Sequence, residues 1–98
     1  MRTVIETPTF EKQAAKIWTQ SERLDLISYL SRNPLVGEVI PQAQGARKLR
    51  WQTKGSGKRG GARVIYFNVD AQGVVYLVAA YVKNQKENIS PKEIERSL

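Results

Sequence analysis

RKLRWQTKGSGKRGGARVIYFNVDAQGVVYLVAAYV, residues 47–82, decides the fold. Its glycine-rich middle invites competing readings. Gly55-Ser56-Gly57-Lys58-Arg59-Gly60 has the spacing of a dinucleotide-binding loop, and Gly57-Lys58-Arg59-Gly60 has that of the GXXG loop in KH domains. A dinucleotide loop must open a helix whose first amides hold the pyrophosphate, with an acidic residue about 20 positions on. Gly60-Gly61 opens instead onto ARVIYFNV, a β-branched and aromatic run that reads as a strand. A Walker loop fails because Arg59, in place of Ser or Thr, follows Lys58. A KH loop fails because no helix flanks it on either side. What remains is three strands, 47–52, 62–69 and 74–82. A basic glycine-rich tip joins the first two, and Asp70-Ala71-Gln72-Gly73 turns the second into the third.

Working outward, Arg2–Ile5 reads as a short strand able to join this sheet. Thr7-Pro8-Thr9 starts a helix, with proline tolerated in the first turn. Phe10, Ala14, Ile17 and Trp18 then form one apolar face. Thr19-Gln20-Ser21-Glu22 is a capping box that restarts the chain. A second amphipathic helix follows, with Leu24, Leu26, Ile27, Tyr29 and Leu30, and stops near Asn33-Pro34. At the other end, Ser90, Pro91 and Glu93 form a capping box, Ile89 and Ile94 supply its hydrophobic staple, and a helix over 91–97 follows. The order β-α-α-β-β-β-α predicts a small α+β domain, its helical hairpin packed on a mostly antiparallel sheet.

Ninety-eight residues make one domain. No cysteine and no histidine are present. Disulfides, thiolate metal sites and the usual histidine bases and nucleophile pairs are therefore excluded, and no metal or cofactor is expected. MRTVIETPTFEK has no apolar core of a leader, and no apolar run approaches membrane-spanning length, so a cytoplasmic protein without membrane contact is expected. The net charge is +7, and it has one source. Residues 39–69 hold Arg47, Lys48, Arg50, Lys54, Lys58, Arg59 and Arg63 without one acid, while the flanking segments balance. A solvated surface mixes signs, so an unmixed block points to a polyanionic partner such as nucleic acid, or to a partner protein carrying the counter-charge.

Strand alternation puts Lys48, Arg50 and Gln52 on one face and Leu49 and Trp51 on the other. Arg63, Ile65 and Phe67 likewise oppose Val64 and Tyr66. If the strands pair across the glycine tip, Lys48, Arg50 and Arg63 converge on one acid-free surface, which invites an anion. Tyr81, Lys83, Asn84 and Lys86 lie at the end of the last strand and border that surface, where an aromatic can stack on an unpaired base and cations can contact phosphates.

GARKLRWQTKGSGKRGGARVIYF, followed by YLVAAYVKNQKENIS, resembles the RelE/HigB-type toxins of bacterial type II toxin–antitoxin systems, the HigB-like branch in particular. TFEK and SYLSRNPLVGEVI extend the resemblance over nearly the whole chain; its most specific piece is R-K-L-R-x8-R-G-G-A-R-V-I-Y. The resemblance implies a RelE-like fold and a ribosome-dependent mRNA interferase that cuts the A-site codon. It also implies a cognate antitoxin, usually a helix-turn-helix protein of HigA type, and a free toxin that is monomeric. Lys48, Arg50 and Arg63 match positions where such toxins carry catalytic or phosphate-binding cations. Lys83, counted with the catalytic set, and Lys86 match further basic positions. Many RelE-type toxins have a functional tyrosine near the C-terminal helix; here Ile89 and Ser90 stand there, and Tyr81 is the substitute at hand.

RNA can be cut by attack of its own 2′-OH on the adjacent phosphate. Arg50 and Arg63 suit a bidentate phosphate clamp. Lys48 is the candidate general base, since crowding among cations disfavours its charged form. Arg47, with Lys54, Lys58 and Arg59 on the glycine tip, would reach toward ribosomal RNA. A gyrase-poisoning ParE-like toxin on the same fold and a non-catalytic RNA-binding module stay open as alternatives.

Overall fold

The computed structural model describes residues 2–52, 61–82 and 89–98. The chain runs β1 (Thr3–Glu6), α1 (Pro8–Ile17), α2 (Gln20–Arg32), β2 (Glu38–Val39), β3 (Arg47–Trp51), β4 (Ala62–Val69), a 3-10 turn (Asp70–Gln72), β5 (Val74–Val82) and α3 (Pro91–Ser97). The sheet order is β1-β5-β4-β3-β2. β1 lies parallel to β5, and every other pairing is antiparallel. The α+β order read from the sequence holds, with one addition. The two-residue edge strand β2 pairs with β3, so the sheet is mixed and five-stranded.

Local chemistry sets the helix ends. The Thr7 hydroxyl accepts from the Phe10 amide at the start of α1. Thr19 and Glu22 form a reciprocal capping box on α2, the Thr19 amide donating to Glu22 at 2.9 Å and the Glu22 amide to Thr19 at 3.2 Å. Ser90 and Glu93 repeat the device on α3. Each cap removes an orphan donor, and losing one costs about 1 kcal/mol. Beyond the end of β1, the edge of β5 is covered by α1 and its cap. The Thr7 hydroxyl donates to the Leu77 carbonyl at 2.9 Å, and the Ala80 amide donates to Gln13 at 2.8 Å.

The sheet has a core on each face. The helical hairpin lays Phe10, Ala14, Trp18, Leu26 and Leu30 on Val64, Tyr66, Val75, Leu77 and Ala80. On the other face α3 and the loop after β2 bring Ile94, Ala43 and Ala46 to Ile65, Val78, Ala79 and Tyr81. Burying each large apolar side chain contributes about 1.5–3 kcal/mol. Between the cores β5 carries a bulge. Ile65 pairs with Ala79 but Tyr66 with Leu77, which leaves Val78 without an opposite residue. Val78 and Ala79 therefore both face α3, and the alternation restarts with Ala80 toward the hairpin and Tyr81 toward α3. Strict alternation from Leu77 would have sent Tyr81 to the hairpin side. The bulge re-aims it.

Candidate nucleic-acid interface

On the α3 face, Arg50 stands directly opposite Arg63, and Arg63 directly opposite Tyr81, one row across β3, β4 and β5. The next row on that face is Lys48, Ile65 and Ala79. Opposed Cβ atoms in such pairs lie about 4.5–5.5 Å apart, and successive rows are about 7 Å apart along the strand. Arg50 is exposed, and Lys48 and Arg63 are half-buried. Like charges directly opposite each other are unfavourable in a sheet, and a bound anion offsets that repulsion. The spacing suits the planar forks of Arg50 and Arg63 gripping one phosphate, with Lys48 beside a neighbouring group.

This face is not free of acid, as the charge block implied. β2 sets Glu38 directly opposite Lys48. Sequence pattern misses Glu38 because β2 is two exposed residues long, with nothing in its composition to mark a strand. Its position is fixed from the other face. The Tyr66 hydroxyl donates to the Pro34 carbonyl at 2.9 Å and accepts from the Gly37 amide at 2.8 Å. Arg47 donates to the Leu35 carbonyl at 3.2 Å and the Gly37 carbonyl at 2.8 Å. Arg47 thus lies on the hairpin side, paired across from Tyr66, and is not brought together with Lys48, Arg50 and Arg63. Burial lifts the Tyr66 hydroxyl above its ordinary pKa, while the Gly37 hydrogen bond and the Arg47 charge pull it back.

Tyr81 reaches the cationic row but not as an open ring. It is 8% exposed, and its ring shares the core cluster with Ile65, Ala79 and Ile94. Its hydroxyl is buried without a hydrogen-bond partner among the described residues. A hydroxyl left so costs about 1–3 kcal/mol. Burial raises its pKa, and the facing Arg63 charge opposes that rise.

Two clefts flank the rows. One of about 360 Å³ is lined by Glu22, Asp25, Arg50, Trp51 and Gln52, where Trp51 packs on Tyr29 with ring centroids 5.2 Å apart. The other, about 290 Å³, is lined by Glu38, Val39, Ile40, Pro41, Lys48 and Ile89. Among the described residues no group of three or more acids could hold a metal ion. Nor is any described helix long and apolar enough to cross a membrane.

No family model matches the chain. Solved structures do. A double mutant of E. coli toxin RelE in the free state superposes with a TM-score of 0.63 over 88% of this chain and 87% of its own, at 14% identity. This chain has the RelE fold. The toxin–antitoxin complex RelBE2 from Mycobacterium tuberculosis gives 0.63 over 81% and 94%, at 23% identity. The intact E. coli RelBE toxin–antitoxin complex gives 0.59 over 82% and 94%, at 15% identity. Identities this low carry the architecture and leave the chemistry to be argued from the chain's own residues.

Of the residues singled out in the sequence, the RelE fold here brings Lys48, Arg50, Arg63 and Tyr81 onto one face. Lys54, Lys58 and Arg59 on the glycine tip, and Lys83, Asn84 and Lys86 after β5, lie outside the described residues.

Proposed function

We propose that this protein is the toxin of a toxin–antitoxin pair, a HigB-like mRNA interferase that cuts the A-site codon of ribosome-bound message in the cytoplasm. One observation carries the reading. A RelE fold presents Arg50 and Arg63 as a directly opposed pair, with Lys48 one row further on the same face. The chain has no histidine or cysteine, so the chemistry falls to cations and to the RNA itself. The 2′-oxygen attacks the adjacent phosphorus and gives up its proton to a base. The P–O5′ bond breaks, the 5′-oxygen takes a proton, and a 2′,3′-cyclic phosphate remains. Arg50 and Arg63 hold the phosphate and balance the charge that grows on its oxygens, the dominant contribution in such reactions.

Lys48, which faces Glu38 and so loses the support of crowding among cations, keeps the role of base on its position one row from the clamp, with Lys83 supporting the phosphate. Lys54, Lys58 and Arg59 serve as an electrostatic arm toward ribosomal RNA, and Asn84 and Lys86 extend the RNA-binding surface. A protein that relies on positioning more than on a strong base gains from a ribosome that holds the message in line. The cognate antitoxin, of HigA type, neutralises a monomeric toxin. The fold shared with toxins solved in RelBE complexes supports such a partner.

The test is primer extension on a defined mRNA in a purified translation system, with and without ribosomes. Cuts that need ribosomes support the reading. Intact mRNA together with DNA damage points to a gyrase poison, and RNA binding without cutting to a simple binder. An unchanged single-turnover rate in Lys48→Ala removes Lys48 from the role of base.

A further inference from the structure

Tyr81 carries a group that neither the core nor the clamp uses. A phenylalanine would fill the same space beside Ile65, Ala79 and Ile94. The hydroxyl adds a buried polar atom without a hydrogen-bond partner among the described residues. Such atoms weaken a fold, and those that persist tend to mark functional sites. The cleft beside it, about 280 Å³, is also lined by Gln13, Glu93 and Arg96. Gln13 accepts from the Ala80 amide and Glu93 from the Ser90 amide, while Arg96 is exposed on α3. The cation set against Tyr81 by the ladder is Arg63, whose charge acts on the hydroxyl. A guanidinium offers five N–H groups around a plane. When a phosphate takes one edge, an acceptor on another edge fixes the angle of the plane.

We propose that Tyr81 is the positioning residue of the phosphate clamp: its Oη accepts an N–H from Arg63 when Arg63 grips an RNA phosphate, and so orients the guanidinium. The inference rests on the reading of this face as an RNA phosphate site. Burial serves the role, because a hydroxyl shielded from water answers only to the donor facing it, in a medium where that bond is strong. The β5 bulge is what delivers the hydroxyl to this side of the sheet.

The experiment compares Tyr81→Phe, Arg63→Ala and the double variant, with Tyr76→Phe as control. The Tyr76 hydroxyl donates to Gln72 near the start of β5, away from the cationic row. Three quantities are read: the unfolding midpoint, the single-turnover cleavage rate on programmed ribosomes, and the affinity at low salt for a short RNA made uncleavable by 2′-deoxy substitution. Tyr81→Phe is expected to leave the midpoint unchanged or higher, to slow cleavage about tenfold, and to weaken RNA binding, with Tyr76→Phe silent. Added to Arg63→Ala it should change nothing further, the signature of two residues acting as one unit. A wild-type rate and affinity in Tyr81→Phe overturns the inference. So does a midpoint that falls in step with activity, or losses that multiply in the double variant, or RNA affinity indifferent to Arg63→Ala. A wild-type protein that binds RNA through Arg63 but does not cut on ribosomes sinks the interferase reading alone and leaves the coupling between Tyr81 and Arg63 to be judged on affinity.

Discussion

The two faces of the β3–β4–β5 sheet are built from the same strands and obey opposite rules. Toward the helical hairpin, Val64, Tyr66 and Leu77 are fully buried, and the Tyr66 hydroxyl is bonded on two sides. Toward α3, Arg50 opposes Arg63, and the Tyr81 hydroxyl lies buried and unmatched among the described residues. One face is closed by the helical hairpin, and the other sets two arginines directly opposite each other, the pair that the proposed function uses to hold a phosphate. The difference supports the proposal that RNA binds on the α3 face, where the opposed arginines stand.

The comparison breaks if substitutions on the two faces act alike. Leu26→Ala, on the hairpin face, should cost about 2–5 kcal/mol. Urea unfolding will show it, with cleavage per folded molecule unchanged. Arg50→Ala should do the reverse, slowing single-turnover cleavage about 100-fold or more while stability moves by less than about 1 kcal/mol. Arg47→Ala separates neighbours in the basic block. Because Arg47 ties down the Leu35 and Gly37 carbonyls, its loss should lower stability by about 1–3 kcal/mol and leave the chemistry of the folded fraction intact. A cleavage defect in folded Arg47→Ala as deep as that of Arg50→Ala would erase the distinction between faces. Gly37→Ala sharpens it. A Cβ there meets Tyr66 Cε1 and Oη at 2.9 Å and the Lys48 carbonyl at 3.0 Å. Tyr66 is held on both sides, so the strain should cost about 1–3 kcal/mol and move β2 with Glu38.

The smallest effect is alkaline. Burial raises the pKa of both Tyr66 and Tyr81 above 10.0, so the folded chain holds these protons more tightly than the unfolded chain. Below 10.0 both states stay protonated and the two groups give pH no leverage. Above it the unfolded chain ionises first, and stability falls as pH rises. Urea midpoints across that range should show the fall, and Tyr81→Phe should make it shallower.

Much of the architecture is legible in the sequence. Thr19 with Glu22 and Ser90 with Glu93 announce their helices, because a capping box is local and needs no tertiary support. Alternation in RKLRW and ARVIYF puts Lys48, Arg50 and Arg63 on one face, and the register bears that out. The same alternation also sets Arg47 with Leu49 and Trp51, a signal that the charge block obscures. Two features leave no trace. β2 exists through tertiary bonds from Tyr66 and Arg47, which composition does not encode. The bulge at Val78 lies in VVYLVAAYV, a run apolar on both faces, where a slip of alternation changes nothing visible. The unmatched hydroxyl of Tyr81 follows from that bulge and is illegible with it.

The central claim, that the opposed arginine pair performs the chemistry, is tested most directly by Arg50→Ala/Arg63→Ala. Its single-turnover cleavage at saturating ribosomes should fall by at least about 100-fold. Its thermal midpoint should move little, because neither side chain belongs to the packed cores. A folded double variant that cuts at the wild-type rate would contradict the account.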